Sequence, residues 1–160
     1  MLWGCFISTI KGPLVAIHGR ASALSYVDIL QDNLVPFINS LPNHGILGAV
    51  FQQDNAPIHK AHYTQDWFEQ QAFEVMEWPA NSPDMNLIEH IWSALKKELF
   101  HRFPDTENLP GAPPTVQRIL EERLQLIWRD IGADLLEKLV QSMPERVNAL
   151  IEAHGWYTRY

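Results

Sequence analysis

The stretch FQQDNAPIHK, residues 51–60, places an aspartate and a histidine directly after a short apolar run, ILGAVF at 46–51. A short apolar run of this kind predicts a strand that is buried on both faces. Asp54 would then lie just beyond the carboxyl end of that strand. In open α/β sheets, catalytic and ligand-binding groups collect at this edge. The stretch therefore predicts an α/β fold with a candidate site at Asp54.

The rest of the chain alternates strand-like and helix-like segments. Strands are predicted at 2–10 and 14–19, with a turn at 11–13, because glycine and proline mark turns. Apolar residues at helical spacing predict a helix over 22–40. The further predicted elements are a helix at 59–71, a strand at 73–78, a loop at 79–83, a helix opening at Ser82 and Pro83, a loop at 103–114, and helices at 115–130, 133–142 and from Pro144 to Gly155. This order predicts a mixed α/β layer followed by a helical tail.

Length and composition limit the classes of protein. A chain of 160 residues with 46% hydrophobic residues suits one globular domain. The net charge of −7 argues against a chain that grips nucleic acid by itself, since phosphate contact needs a basic face. An acidic metal site is still possible if the DNA-gripping parts lie elsewhere. Cys5 is the only cysteine, which excludes an intrachain disulfide and favours an intracellular protein. No apolar run approaches the roughly 18 residues of a membrane span.

Two carboxylates, Asp54 and Glu89, are candidates for one site. At about 100° per residue, Glu89 flanks the apolar stripe of its predicted helix, with Ser93 and Lys96 on the same polar edge. A carboxylate there can point along the sheet edge. Mg²⁺ prefers oxygen ligands, and two such ions can clamp a phosphodiester, although such a site normally needs three carboxylates.

The structural alternative is that Asp54 caps the turn at 55–57 and that Glu89 is a solvated helix residue. Spacing alone favours this alternative. His59 also has a structural alternative. A histidine at a loop-to-helix junction more often forms a hydrogen bond to the chain than it binds a metal or a substrate. The residues by themselves leave both interpretations open.

Two longer motifs carry a family resemblance. FQQDNAPIHKA and WPANSPDMNLIEHIW, with thirty-four residues between Asp54 and Glu89, closely resemble the DDE transposases of the mariner superfamily and their nematode-type branch. WGCFISTIKGPLVAIHG, YVDIL and the terminal SMPERVNALIEAHGWYTRY are similar to the same family, so the resemblance runs nearly end to end. It implies an RNase H-like fold in which a carboxylate triad holds Mg²⁺ or Mn²⁺. Such enzymes cut the transposon ends and join the freed 3′-hydroxyl to target DNA.

By position, Asp54 matches the second acid of the triad and Glu89 the third, as catalytic residues and metal ligands. The first acid of the family lies on a strand upstream of the one that ends in the WG of this chain. Asp28 and Asp32 lie in the predicted helix and cannot replace it. The resemblance therefore implies an incomplete fold without its first strand, and little or no activity of this chain alone. It also implies that the helix-turn-helix modules which grip terminal repeats are missing.

The missing strand would have an energetic consequence. About ten backbone groups would lose ladder partners, at about 1–3 kcal/mol each if buried. That sum rivals the whole stability of a domain, about 5–15 kcal/mol. An isolated chain is therefore expected to be marginally stable unless neighbouring elements or a second chain fill the gap.

The complete expectation is a partial RNase H-like catalytic domain at 1–103 with a helical extension of the same domain at 104–160. Its expected partners are transposon terminal repeats, target DNA and further copies of itself, in the nucleus if the source is eukaryotic. Possible DNA contacts or site neighbours are Asn55, His59, Lys60 and Lys96. Two alternatives are a non-catalytic remnant that binds nucleic acid or a transposase, and an inert product without a partner.

Overall fold

The computed structural model describes residues 1–79, 82 and 85–154. The chain forms two compact units, one of Met1–Ile7 with Lys11–Asn86 and the other of Ser8–Ile10 with Leu87–Tyr160. The predicted division into a catalytic part at 1–103 and an extension at 104–160 stays a prediction.

The first unit holds all the strands of the described residues, apart from the first residue of β2. Its elements are strands β1 (Leu2–Ile7) and β2 (Ile10–Ala16), helix α1 (Ala23–Ile29), a π-helical segment (Leu30–Leu34), α2 (Val35–Ser40), a 3-10 turn (Leu41–His44), β3 (Val50–Phe51), α3 (His62–Glu69) and β4 (Glu74–Val75). Strands β3 and β4 are parallel, with Val50 opposite Glu74. Within the described residues the strands form two separate two-stranded sheets, β1–β2 and β3–β4.

The second unit is helical. Its elements are α4 (Leu87–Arg102), a 3-10 turn (Pro104–Asn108), α5 (Pro113–Asp130), α6 (Ala133–Gln141) and α7 (Met143–Glu152). Helices α5, α6 and α7 agree with the predicted ones to within a few residues at their described ends, whereas α4 begins at Leu87, five residues after the predicted opening at Ser82. Pro83, at the predicted start of the fourth helix, and Gly155, at the predicted end of the last one, lie outside the described residues. No helix in the described part of the chain is long and apolar enough to cross a membrane.

The first hairpin turns at a different place from the predicted one. The turn lies at Ser8 and Thr9, where Ser8 has a positive φ of 50°, and not at 11–13. Gly12 lies inside β2. Glycine is needed at this position, because a side chain would overlap Cys5 Sγ and meet Phe37 Cδ1 at 3.2 Å. Pro13 also lies inside β2, which belongs to a two-stranded sheet, and proline in sheets is typical of such edge strands. Gly12 therefore serves close packing here, and the predicted turn at 11–13 is wrong.

Replacing Gly12 by alanine is expected to lower the free energy of unfolding by about 1–3 kcal/mol, since the new methyl group overpacks the contact with Cys5. Urea denaturation measures the change. Gly132→Ala is the matched control, because Gly132 has an ordinary φ of −73° and a methyl group there would meet no described atom within 4 Å. Adding Cys5→Ala to the Gly12→Ala variant should recover part of the loss. Strict additivity of the two changes would contradict the proposed clash.

The predicted helix over 22–40 is confirmed, with one irregularity. It begins at Ser22, whose hydroxyl accepts from the Ser25 N–H at 3.1 Å while the Ser25 hydroxyl accepts from the Ser22 N–H at 2.9 Å. In its middle, the N–H of Val35 donates to the carbonyl of Leu30, five residues earlier, which defines the π turn. Pro36 follows directly and has no N–H to give. The chain thus stays helical across a proline by widening one turn.

The strands of the second sheet are shorter than predicted. The strand predicted at 46–51 contains only two residues, and Val50 is 41% exposed, so the predicted burial on both faces is wrong. Gly48 has a φ of 66°, which takes the backbone out of the extended region just before the strand. The strand predicted at 73–78 is likewise confined to Glu74–Val75.

Both sheets pack against one core in the first unit. Its buried members are Trp3, Tyr26, Leu30, Leu34 and Phe68. Cys5 packs beside them, and burial raises the pKa of its thiol to about 12. The thiol therefore stays protonated at neutral pH and acts as a small apolar group.

The second unit packs around a stripe of α4. The buried residues of that helix recur every four positions, at Leu87, Ile91, Leu95 and Leu99. Trp92 stacks on Trp128 of α5, with ring centroids 5.8 Å apart. The loop predicted at 103–114 contains an ordered 3-10 turn, and the guanidinium of Arg123 on α5 donates to Asp105 Oδ2 at 2.7 Å and lies 4.6 Å above the Phe103 ring.

Candidate active site

Asp54 lies in the loop that follows β3, as predicted. Its Oδ1 accepts a hydrogen bond from the Ala56 N–H at 2.9 Å and lies 2.8 Å from Nδ1 of His59. The turn-capping role of the structural alternative is therefore real. This role leaves Asp54 Oδ2 available to a ligand, because the side chain is 45% exposed and Oδ2 has no hydrogen-bond partner among the described residues.

His59 is enclosed by Asp54 and Tyr26. Its Nδ1 also lies 3.2 Å from the backbone carbonyl of Asp54, and its ring centroid is 4.5 Å from that of Tyr26. The Tyr26 hydroxyl donates to Gln53 Oε1 at 2.5 Å. Burial raises the pKa of Tyr26 above its ordinary value, and the negative charge of Asp54 raises it further. The hydroxyl therefore stays neutral and keeps its hydrogen for Gln53.

The Asp54 loop is tied to the neighbouring elements by side chains. The buried hydroxyl of Thr64 donates to the Ile58 carbonyl at 2.7 Å, and Gln65 Nε2 donates to the His59 carbonyl at 2.6 Å. Both residues lie on α3. Asn55 Nδ2 donates to the Trp78 carbonyl at 3.0 Å, which connects the loop to the segment after β4. The loop is thus held on both sides of Asp54.

Glu89 lies in the first turn of α4, in the second unit, and is exposed. Its backbone carbonyl accepts from the Ser93 hydroxyl at 3.0 Å. Lys96, two turns later, is exposed as well. Glu89 therefore lies off the buried stripe, as the helical arithmetic predicts, and an acid in a first helical turn also suits the helix dipole.

The predicted site residues fall into two groups. Asp54, Asn55 and His59 lie together on one loop of the first unit, followed by the exposed Lys60, and Glu89 lies with Lys96 on α4. The described residues contain no cluster of three or more His, Cys, Asp or Glu side chains suited to a metal ion. The chemistry of Asp54 fits a hard divalent cation, because it offers a solvent-accessible carboxylate oxygen. A shared site of Asp54 and Glu89 stays a prediction.

Sequence reasoning missed Tyr26 and Gln53 as neighbours of the candidate site. Tyr26 is twenty-seven residues before Gln53, and no spacing rule connects them. A signal was present, since Tyr26 opens the YVDIL segment that carries part of the family resemblance.

Comparison with known proteins supports this resemblance. Residues 10–110 match the family of DDE superfamily endonucleases. The transposable element Tc1 transposase of Caenorhabditis elegans is 35% identical over 160 residues, and the Tcb1 transposase of Caenorhabditis briggsae is 36% identical over 160. Each alignment covers 100% of this chain and 54% of the relative. The chain therefore spans about half the length of these relatives.

Solved structures show the same fold. The catalytic domain of Mos1 mariner transposase superposes with a TM-score of 0.70 at 19% identity, over 99% of this chain and 82% of that one. A structure of the Mos1 catalytic domain with Raltegravir and Mg gives a TM-score of 0.69 at 21% identity, over 92% of this chain and 70% of that one. The predicted RNase H-like fold is confirmed. Because the family match covers more than half of its residues, the chain belongs to the DDE superfamily of endonucleases.

Proposed function

We propose that this chain is the carboxy-terminal part of a transposase catalytic domain. The whole protein would cut transposon ends and transfer the freed 3′-hydroxyl to target DNA. The observation that carries the proposal is the geometry of Asp54. Its carboxylate lies after the end of β3, is fixed through Oδ1 and is accessible to solvent. It lies inside the segment that matches the endonuclease family, and transposases align with the whole chain.

In this proposal Asp54 and Glu89 hold Mg²⁺ or Mn²⁺. A bound ion would polarise the phosphodiester and favour attack by water and then by a 3′-hydroxyl. Solved structures of Mos1 transposase that contain Mg or Mn support the choice of metal. The residues of this chain would supply oxygen ligands from the two acids, while Asn55 holds the loop through the Trp78 carbonyl.

The proposed partners are transposon terminal repeats, target DNA and further copies of the transposase, and the proposed compartment is the nucleus. Mos1 transposase forms a paired-end complex with a left transposon end, which supports both the DNA partner and the assembly. The exposed Lys60 and Lys96 would contact phosphates. With a net charge of −7, this chain would depend on basic parts of the whole protein for most of its grip on DNA.

The separate sheets support an incomplete catalytic fold. Residues of both sheets, Trp3 and Val15 from one and Phe51 and Val75 from the other, pack on the same core, yet the two sheets do not pair within the described residues. A strand between β1 and β3 that carries the first acid of the triad would join them. We therefore propose that this chain alone has little or no cleavage activity.

Metal binding tests the role of Asp54. In titration calorimetry the wild-type chain is expected to bind Mn²⁺ weakly, and Asp54→Asn and Glu89→Gln are each expected to weaken binding at least tenfold, about 1.4 kcal/mol. Loss of an anionic oxygen ligand is the reason, since the amide variants keep the shape of the side chain. Asp66→Asn is the matched control, because Asp66 is an exposed aspartate on α3.

Equal Mn²⁺ affinity in the wild-type chain and in both acid variants would contradict the proposed site. A nicking assay with Mn²⁺ and a terminal-repeat duplex provides the second measurement. Efficient cleavage by this chain alone, abolished by Asp54→Asn, would overturn the need for an additional acid. DNA binding that both acid variants retain and that added salt weakens would favour the non-catalytic alternative.

A further inference from the structure

We propose that His59 is a positioning residue for Asp54, whose Oδ1 it holds so that Oδ2 faces the divalent cation. The inference rests on the proposed function, since it concerns the same carboxylate. It goes beyond that function by assigning a role to a residue that does not itself touch the metal. The geometry behind it is the contact of 2.8 Å between His59 Nδ1 and Asp54 Oδ1.

The surroundings of His59 determine where its hydrogen lies. Nδ1 faces two oxygens, Asp54 Oδ1 at 2.8 Å and the Asp54 carbonyl at 3.2 Å. An ionised carboxylate and a carbonyl only accept hydrogen bonds. Nδ1 must therefore carry a hydrogen and donate it, whether the ring is neutral or cationic. In the neutral ring, the partners of Nδ1 therefore assign the tautomer that carries its hydrogen on Nδ1.

The ring of His59 is held in place from several sides. Tyr26, itself buried, lies against it at a centroid distance of 4.5 Å, and the hydroxyl of Tyr26 is fixed by Gln53. The backbone carbonyls of Ile58 and His59 accept from Thr64 and Gln65 of α3. Only 18% of the His59 side chain is exposed. A ring fixed in this way can hold a carboxylate within the few tenths of an ångström that a metal site requires.

The two contacts at Oδ1 have a consequence for Oδ2. The Ala56 N–H donates to Oδ1 and the His59 Nδ1 lies 2.8 Å from the same oxygen, so both contacts restrain rotation of the carboxylate. Oδ2, which has no hydrogen-bond partner among the described residues, then becomes the oxygen that binds a cation. Residues that orient a metal ligand in this way typically change metal affinity about 10–100-fold. His59 should therefore matter for metal binding without being a ligand.

A set of His59 variants separates orientation from mere packing. His59→Ala is expected to weaken Mn²⁺ binding about tenfold in calorimetry. His59→Asn places an amide N–H near the position of Nδ1 and is expected to stay within about threefold of the wild-type affinity, whereas His59→Gln places its N–H near Nε2 and should behave as alanine does. His62→Ala, an exposed histidine on α3, is the matched control and should bind as wild type does.

A measurement on the unaltered chain covers the case in which a variant fails to fold. Long-range ¹H–¹⁵N correlation of the His59 ring is expected to show a hydrogen on Nδ1. An Nδ1 without a hydrogen would overturn the inference directly.

The other outcomes are equally decisive. If Asp54→Asn weakens Mn²⁺ binding while every His59 variant binds as wild type does, the positioning role is wrong and the metal site stands. If His59→Asn loses as much affinity as His59→Ala, the role of His59 is packing, and the inference is again wrong. If Asp54→Asn itself keeps the wild-type affinity, the proposed function fails, and the positioning role fails with it.

Discussion

Arg146→Ala is expected to lower the free energy of unfolding by about 2–5 kcal/mol, since it removes a buried side chain and the hydrogen bonds that it donates to Ser142 and His90. Arg146 lies on α7 and is only 4% exposed. Its Nε donates to Ser142 Oγ at 2.8 Å, and its Nη1 donates to His90 Nε2, also at 2.8 Å. A guanidinium has only donors, so His90 must present an unprotonated Nε2. Urea denaturation followed by circular dichroism measures the loss.

Two further variants sharpen this test. Arg118→Ala is the matched control, because Arg118 is an exposed arginine that pairs only one turn away with Glu122, and it should cost less than about 1 kcal/mol. Arg146→Lys should remain destabilised, since one ammonium group cannot reproduce the fork that reaches Ser142 and His90 together. A loss for Arg146→Ala no larger than that for Arg118→Ala would contradict a structural role of the buried guanidinium.

Leu30→Ala is expected to destabilise the chain by a similar amount, about 2–5 kcal/mol, because it opens a cavity in the core of the first unit. Leu30 is fully buried at 0% exposure and packs in the cluster with Trp3, Tyr26 and Phe68. Thermal and urea denaturation measure the change.

Leu24→Ala on the same helix is its control, because Leu24 is 59% exposed and loses little contact when it is shortened. The two leucines share residue type and helix and differ in burial. If both substitutions gave losses below about 1 kcal/mol, the core would have filled the space left by the Leu30 side chain. The cluster would then not be closely packed.

The helices could be predicted from sequence more reliably than the strands. The helix over 22–40 follows from the spacing of its apolar residues and from its serine cap, both of which are local. The hairpin turn could not be located, because Gly12 is required by the approach of Cys5 on the other strand and of Phe37 on a later helix, which no local rule reveals. For β3, the apolar run at 46–51 suggested a buried strand, while the left-handed Gly48 interrupts it.

The candidate site shows the same division between local and distant contacts. The turn formed by Asp54 and Ala56 follows from a local rule about aspartate, and the exposure of Glu89 follows from helical arithmetic. The sequence predicted that His59 forms a hydrogen bond to the chain, but it could not identify Asp54 as the partner. Tyr26, which encloses that pair, becomes a neighbour only when α1 packs against the loop.

The π turn within the helix over 22–40 makes the length of that helix as important as its composition. Tyr26, Leu30 and Leu34 follow one another at four-residue intervals, and all three are buried. An interval of four residues is longer than one α turn of about 3.6 residues but shorter than one π turn. The angular offset between Tyr26 and Leu30 is therefore opposite in sign to the offset between Leu30 and Leu34. Deleting one residue between 30 and 34 would swing everything downstream by about 100°, including the Phe37 ring that abuts Gly12. Natural variants of this segment should therefore accept exchanged side chains far more readily than insertions or deletions.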